Sequence, residues 1–193
     1  AAREGTLAHQ FCELKLRKLF LEPGMPDKTY KAEIGKLKKE ELYSSEMERY
    51  TDEYADYVKE IAYGYPSAPY ITVEKKVDYS HVAPEGFGTA DCILLHGDEM
   101  HVVDFKYGKG IAVSAEGNSQ MALYALGALK AYGLIYPVDK VYLHIIQPRL
   151  RNFSRWRTSV KELNAWAEAV VKPAAQKAYE GGGQFHQGAW CDD

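Results

Sequence analysis

Two apolar runs separated by a two-residue turn constrain the fold of this chain more than any other feature. The stretch reads "CILLHGDEMHVVDF", with Gly97 and Asp98 between runs rich in Ile, Leu, Met and Val. This pattern is typical of a β-hairpin. Because apolar residues occupy both alternating faces of the strands, we expect helices to cover the hairpin on both sides.

The register of this hairpin brings two acidic residues and a lysine together. With Gly97 and Asp98 as the loop, Asp91 lies opposite Asp104, with Cβ atoms about 5 Å apart. Lys106 shares their face because it follows Asp104 by two residues. Opposed like charges raise each other's pKa unless a cation lies between them. That cation is either Lys106, in a structural salt bridge, or a divalent ion that is held by carboxylate oxygens and binds a phosphate.

The remaining segments predict one α/β domain with a central mixed β-sheet flanked by helices. Apolar periodicity predicts helices over residues 7–20, 44–65, 114–133 and 159–180, and β-rich runs predict strands over residues 69–80 and 139–148. Thr6 and Ser114 are candidate N-caps, Gly133 is a stop signal, and Pro173 interrupts the last helix. The tyrosine stripe of the second helix is interpreted as core packing and not as a base-stacking platform.

Composition sets the class of protein. The 193 residues are 46% hydrophobic with a net charge of -3, so we expect one globular domain whose binding to an acidic polymer would depend on a local patch. We expect this domain to span residues 1–193, with its core over about 5–147 and a C-terminal helix and tail over about 158–193. Apolar runs are too short for a membrane span and no secretion signal is recognisable, which favours a cytoplasmic protein. Because the first residue is Ala1, a fragment of a longer chain is an alternative.

Three motifs resemble those of a known nuclease superfamily. Asp91 followed by Asp104-Phe105-Lys106 resembles the PD-(D/E)XK signature, and "GTLAHQFCE" resembles the Gly-Thr-x-x-His element of its RecB-like branch. "QMALY" resembles the Gln-x-x-x-Tyr element that follows in the same branch. The stretch from "GTADCILL" to "ALKAYG" resembles a phage- and prophage-associated group of RecB-like exonucleases throughout. The resemblance implies a restriction-endonuclease-like core.

The resemblance also implies roles for individual residues. Metal ligands for Mg²⁺ or Mn²⁺ would be His9, Asp91, Asp104 and the backbone carbonyl of Phe105. The catalytic set would comprise Lys106 as the catalytic lysine with Asp91, Asp104, Gln120, Tyr124 and Glu13, and Glu74 is a further acid nearby. Gln120 and Tyr124 would also line the DNA side of the site. Alternatively, Gln120 and Tyr124 make ordinary helix-to-sheet contacts, and Glu74 lies on a solvated strand edge.

The chain departs from the family pattern in two respects. Ala90 stands where the signature has proline. Members of this branch often hold an iron-sulfur cluster through four cysteines, but this chain has only three cysteines, and only Cys191 lies where the C-terminal ligands would begin. A cluster would therefore need cysteines outside this chain. Cys12 and Cys92 are interpreted as small buried apolar residues.

One basic window is the candidate nucleic-acid surface. The stretch "QPRLRNFSRWRTS" carries Arg149, Arg151, Arg155, Trp156 and Arg157 and no acidic residue. Arginine interleaved with aromatic residues suits a surface that follows a single-stranded backbone and stacks bases. The alternative is a solvated loop with the tryptophan packed on the last helix. Lys109 lies in a second, glycine-rich segment where a phosphate could approach the backbone.

These features predict a metal-dependent DNA exonuclease of phage or prophage origin, acting on linear, end-bearing DNA in the cytoplasm of a bacterial host. A second hypothesis is a catalytically silent nucleic-acid-binding module. A third is a structural subunit of a recombination or repair complex, with a phage or recombination protein as its partner. The sequence contains no pattern that sets an oligomeric state.

Overall fold

The chain folds into a five-stranded mixed sheet flanked by helices. The computed structural model describes residues 2–181. The elements are α1 (Ala2–Leu16), which continues as a π-helical turn (Arg17–Leu21), α2 (Asp27–Leu37), α3 (Ser45–Tyr63), β1 (Tyr70–Asp78), β2 (Phe87–His96), β3 (Glu99–Phe105), α4 (Ser119–Tyr132), β4 (Lys140–Gln147), a 3-10 turn (Pro148–Leu150), β5 (Asn152–Ser159), α5 (Val160–Trp166), a second π-helical turn (Ala167–Val171) and α6 (Lys172–Glu180). None of the helices within residues 2–181 has the length and apolar character that crossing a bilayer requires.

The strands are ordered as in the sequence, from β1 to β5. All neighbours are antiparallel except β3 and β4, which run parallel and are connected through α4. The predicted hairpin is confirmed, since His96 lies opposite Glu99 and Ile93 lies opposite Val102. Gly97 has a φ of 57°, in the left-handed region that glycine adopts without steric cost.

Helices cover the sheet on both sides, as the two apolar faces of the hairpin predict. On one side, which we call the α4 face, Ile93 and Val102 pack in a core with α4 and α5. On the other side, which we call the α1/α3 face, Leu94 and Val103 pack with α1 and α3. The tyrosine stripe of α3 belongs to this second core, where Tyr54 is fully buried. Its interpretation as core packing is therefore confirmed.

Both predicted N-caps were wrong. Helix α1 begins at Ala2, so Thr6 lies inside it and its hydroxyl donates a hydrogen bond to the Ala2 carbonyl. Helix α4 begins later than predicted, after Asn118, whose side chain accepts a hydrogen bond from the Met121 amide. Ser114 instead accepts a hydrogen bond from the Glu116 amide within the preceding loop, so its local bonding competes with the helix.

Two elements lacked an expectation from the sequence. Helix α2 is short and contains no buried residue, and its Ile34 and Leu37 pack, partly buried, against the core of the α1/α3 face. Strand β5 comes from the basic window, and it forms the edge of the sheet beside β4. The sheet therefore continues past residue 147. The last helix is interrupted as expected, because the second π-helical turn ends one residue before α6, which carries Pro173 in its first turn.

Candidate functional site

The strand pairing changes at the residues that the hairpin register singles out. Regular pairing of β2 with β3 stops at Cys92 and Val103, so the expected ladder pair of Asp91 with Asp104 does not form. Asp91 Oδ2 instead accepts a hydrogen bond of 2.7 Å from the Phe105 amide. The carboxylate thus replaces a carbonyl as the partner of that amide, and the two strands separate at this end.

Strand β1 is distorted opposite Asp91. Val73 packs on the α1/α3 face, whereas Lys75 lies on the α4 face with its ammonium 6.0 Å from the ring centre of Tyr132. Glu74, between them, has a φ of 48° and so lies in the left-handed region. This conformation costs a non-glycine residue on the order of 1–3 kcal/mol and is concentrated at functional sites. The distortion places Glu74 and Asp91 at the same break in the sheet.

An imidazole from α1 joins these two carboxylates. His9, Glu74 and Asp91 each offer a ligand atom, and these atoms lie within 4.8 Å of one another. His9 Nδ1 is 3.4 Å from Asp91 Oδ1 and 3.9 Å from Glu74 Oε1, and its ring stands edge-on to Phe105 at 5.4 Å. Burial lowers the pKa of His9, but hydrogen bonds and charge from Asp91 and Glu74 outweigh burial and raise this pKa to about 10. The pocket therefore favours a cation.

Asp104 and Lys106 form an ion pair beside this cluster. Asp104 is 6% exposed, and its Oδ2 lies 3.0 Å from Lys106 Nζ without making a hydrogen bond of regular geometry to any of the described residues. Burial and the charge of Asp91 raise the pKa of Asp104 to about 6, and Lys106 opposes the shift. Asp104 is outside the group within 4.8 Å. Both readings of the Lys106 contact stay compatible with this geometry, because a salt bridge and a neighbouring metal ion do not exclude each other.

A hydrogen-bonded chain connects Lys106 to α4. Lys106 Nζ donates to Gln120 Oε1 at 3.3 Å, and Gln120 Nε2 donates to the hydroxyl of Tyr124 at 3.0 Å. The Tyr124 ring lies on Gly88, where an added Cβ would be 2.4 Å from the ring. The structure thus brings together the predicted Lys106, Gln120 and Tyr124. Gly88 was not predicted, although a glycine inside a strand often marks a place where another group approaches closely.

One other predicted residue, Glu13, lies outside the cluster. Glu13 lines a separate cleft of α1 and α2 with Gln10 and Glu33, and is not in the cluster of His9. Lys109 is exposed in the loop after β3. Although Glu13 follows His9 by one helical turn, the drift of about 40° over four residues turns it toward α2.

The arginine window is divided between different environments. Arg155 and Arg157 are exposed on β5, and Trp156 packs on the opposite side against the core of the α4 face. Arg149 is held by Glu4 at 3.2 Å and by the Tyr107 carbonyl at 3.3 Å. Arg151 is exposed in the turn before β5, with a φ of 51°. A strand alternates its side chains, so this window does not form one surface.

The cysteines are placed as follows. Cys12 and Cys92 are buried and free, as expected for small apolar residues, and burial raises the pKa of both thiols. Cys191 lies outside the described residues, as does the predicted tail beyond residue 181.

Comparison with known families gives one match over nearly the whole chain. Residues 1–192 match the family described as "Protein of unknown function (DUF2800)". The chain therefore belongs to this family, whose description states no activity.

Proposed function

We propose that this member of the DUF2800 family is a metal-dependent deoxyribonuclease that hydrolyses phosphodiester bonds. One observation carries the proposal: the break in the sheet gathers His9, Glu74 and Asp91 beside the ion pair of the buried Asp104 with the partly exposed Lys106. Three carboxylates, an imidazole and a lysine at one strand end form a donor set for a hard divalent cation with a phosphate next to it.

The residues present fit a divalent metal ion. His9, Glu74 and Asp91 are close enough to share one ion, and the buried, incompletely bonded Oδ2 of Asp104 offers a further oxygen. The backbone carbonyl of Phe105 is the remaining proposed ligand. Mg²⁺ or Mn²⁺ bound there would act as a Lewis acid toward a phosphodiester and lower the pKa of a bound water. Because ligands bind metals in their deprotonated forms, binding would release the proton that the two acids hold on His9.

Lys106 is the proposed catalytic lysine. Its ammonium is oriented by Asp104 on one side and by Gln120 on the other, so it has a defined position at the edge of the carboxylate cluster. There it can orient the attacking water and neutralise negative charge that develops on the phosphoryl oxygens. Tyr124 holds the Gln120 amide in the orientation that presents its oxygen to Lys106. Gln120 and Tyr124 thus act as positioning residues on the DNA side of the site.

The proposed type of nuclease rests on the sequence motifs. The resemblance of the Gly-Thr-x-x-His, Asp-X-Lys and Gln-x-x-x-Tyr elements supports a restriction-endonuclease-like core and an exonuclease of the RecB-like type. The corresponding substrate is linear, end-bearing DNA. A phage or prophage origin and a cytoplasmic location belong to this proposal, as does a single nuclease domain.

The test is a time course on end-labelled linear DNA and closed circular DNA with Mn²⁺. We expect loss of the linear substrate alone, and we expect Asp104→Ala and Lys106→Ala to abolish it while circular dichroism shows unchanged folding. Glu13→Ala is the matched control, because Glu13 is an acid of α1 outside the cluster, and it should cleave at the wild-type rate.

A folded wild type that cleaves no DNA with Mn²⁺ or Mg²⁺ would contradict the proposal. DNA binding that survives both EDTA and Asp104→Ala, without any cleavage, would support a catalytically silent binding module instead.

A further inference from the structure

The exposed side of strand β5 forms a narrow cationic and aromatic surface. Phe153, Arg155 and Arg157 alternate with inward-facing residues and lie on the α1/α3 face, because Trp156 packs on the α4 face. Phe153 is 45% exposed, and both arginines are exposed. We call these three residues the β5 strip.

The arginines of the β5 strip are available to an anionic partner. Neither Arg155 nor Arg157 forms an ion pair or a side-chain hydrogen bond within residues 2–181. Their guanidinium groups instead lie over Tyr142, at 4.6 Å and 6.0 Å from the ring centre. A cation on an aromatic face keeps its charge and its N–H donors for another group. Tyr142 thereby holds both side chains above the sheet.

The β5 strip begins at the end of the sheet that carries the proposed active site. Phe105 pairs with Ile146, and Ile146 pairs with Phe153, so Phe153 lies two strands from Phe105, about 10 Å away at the usual strand spacing. Arg155 and Arg157 follow at steps of about 7 Å away from this end. The strip therefore runs along the edge strand and starts at the same end of the sheet as the site, on the face whose helix α1 carries His9.

The surroundings favour a thin polyanion. The strip is one strand wide, and its one large exposed ring, Phe153, is stabilised from below by Tyr57 at 6.0 Å. An exposed ring stacks on an unpaired base, and cations in a row contact successive phosphates. Duplex DNA has its bases already stacked and offers no partner for the ring. Acidic residues lie nearby on α3: burial raises the pKa of Tyr57, and the negative charge of Glu60 raises it further. Favourable contact with a polyanion is therefore confined to the strip itself.

We propose that the β5 strip binds single-stranded DNA, with Phe153 stacking on a base and Arg155 and Arg157 contacting the phosphates. The link to cleavage rests on the proposed nuclease function, since the strip starts at the same end of the sheet as the carboxylate cluster. The binding itself requires neither metal nor catalysis.

The test is fluorescence anisotropy with a labelled oligo(dT) in EDTA, where cleavage cannot occur. We expect Arg155→Ala/Arg157→Ala to weaken binding at least tenfold and to reduce the slope of log K against log salt by about 1.4, the loss of two phosphate contacts. Lys28→Ala/Lys31→Ala is the control, because it removes the same charge from exposed positions of α2. It should bind as the wild type does.

Three further variants separate charge and stacking from folding. Arg155→Lys/Arg157→Lys keeps the charge and should retain most of the salt dependence. Phe153→Ala should weaken oligo(dT) binding at least fivefold, and Phe153→Trp should not weaken it. Circular dichroism and size exclusion should show that each variant is folded and has the wild-type oligomeric state.

The outcomes distinguish this proposal from the nuclease proposal. Equal affinities of the strip variant and the α2 control, or tighter binding of duplex than of oligo(dT), would overturn the β5 strip whatever the cleavage assay shows. A strip variant that changes only the oligomeric state would also overturn it, in favour of a contact between copies. Normal oligo(dT) binding without cleavage would contradict only the nuclease.

Discussion

Adding one methyl group at Gly88 should displace the side chains that orient Lys106, the proposed catalytic lysine. The new Cβ would lie 2.4 Å from Cε1 of the Tyr124 ring, whereas ordinary contact begins at 3.4 Å, so the ring must move by about 1 Å. The 3.0 Å hydrogen bond from Gln120 to the Tyr124 hydroxyl would then exceed bonding distance. Lys106, held by Gln120 at only 3.3 Å, would lose one of its two positioning contacts.

We therefore expect Gly88→Ala to lower kcat/KM for linear DNA by about 100-fold and the free energy of unfolding by about 1–3 kcal/mol. Gly88 does not have a positive φ, so an alanine backbone is compatible and the effect is steric. Gly35→Ala is the matched control, because nothing lies within 4 Å of its Cβ position in α2. It should keep full activity and become slightly more stable.

A double-mutant cycle with Tyr124→Leu makes the reasoning refutable even if no cleavage is detected. Tyr124→Leu removes the ring that Gly88→Ala displaces, so adding Gly88→Ala to it should cost less than about 0.5 kcal/mol in urea unfolding. If Gly88→Ala costs the same free energy in both backgrounds, contact with the Tyr124 ring is not the cause.

Three further predictions concern metal binding, pH and the core. Mn²⁺ at 100 times its Kd should raise the free energy of unfolding of the wild type by about 2.7 kcal/mol. Glu74→Gln should reduce this stabilisation by Mn²⁺, and Glu13→Gln should not. Equal stabilisation of the two variants by Mn²⁺ in thermal melts would show that Glu74 is not part of the proposed metal site. Burial lowers the pKa of His101 to about 4 and also lowers that of His144, so both stay neutral in the folded protein while the unfolded chain takes up protons below about pH 6.5. Their contribution to stability is thus complete above pH 6.5 and falls on acidification toward pH 4, by up to about 1.4 kcal/mol per pH unit for each histidine. In urea unfolding, the free energy of unfolding of His101→Gln/His144→Gln should fall less steeply with acidification than that of the wild type. Equal slopes for the two proteins would contradict the assignment. Phe11 is fully buried, so Phe11→Ala should lower the free energy of unfolding by about 3–5 kcal/mol, and a loss below 1 kcal/mol would mean that the α1/α3 face closes over the cavity.

Local features of the fold could be predicted because they depend on neighbours in the sequence. Gly97 and Asp98 separate two apolar runs, and this spacing alone defines the hairpin and the pairing of Ile93 with Val102. The N-caps Thr6 and Ser114 were wrong because a cap depends on where the chain enters the helix, and several polar residues compete for that position. Strand β5 escaped prediction because an edge strand with one exposed side has little apolar pattern.

The composition of the candidate site was only partly accessible from the sequence. The motifs identified His9, Asp91 and Asp104 as candidate metal ligands, and the structure places the first two in one cluster. Glu74 entered as a nearby acid, and its place in that cluster depends on a left-handed backbone conformation that nothing in its local sequence demands. Glu13, chosen for its spacing from His9, turns toward α2 instead.

The sequence by itself determined the α/β class, the hairpin, the two apolar faces and the residue types of the site. These follow from side-chain periodicity, which acts between residues a few positions apart. Only the tertiary structure decided that the sheet breaks at Glu74 and Asp91, that the Tyr124 ring occupies the space above Gly88, and that Arg155 and Trp156 face opposite sides. The first two contacts join residues 17 and 36 positions apart, so they arise from tertiary packing and the local pattern carries no information about them. The opposite orientation of Arg155 and Trp156 follows from alternation only once the segment is known to be a strand.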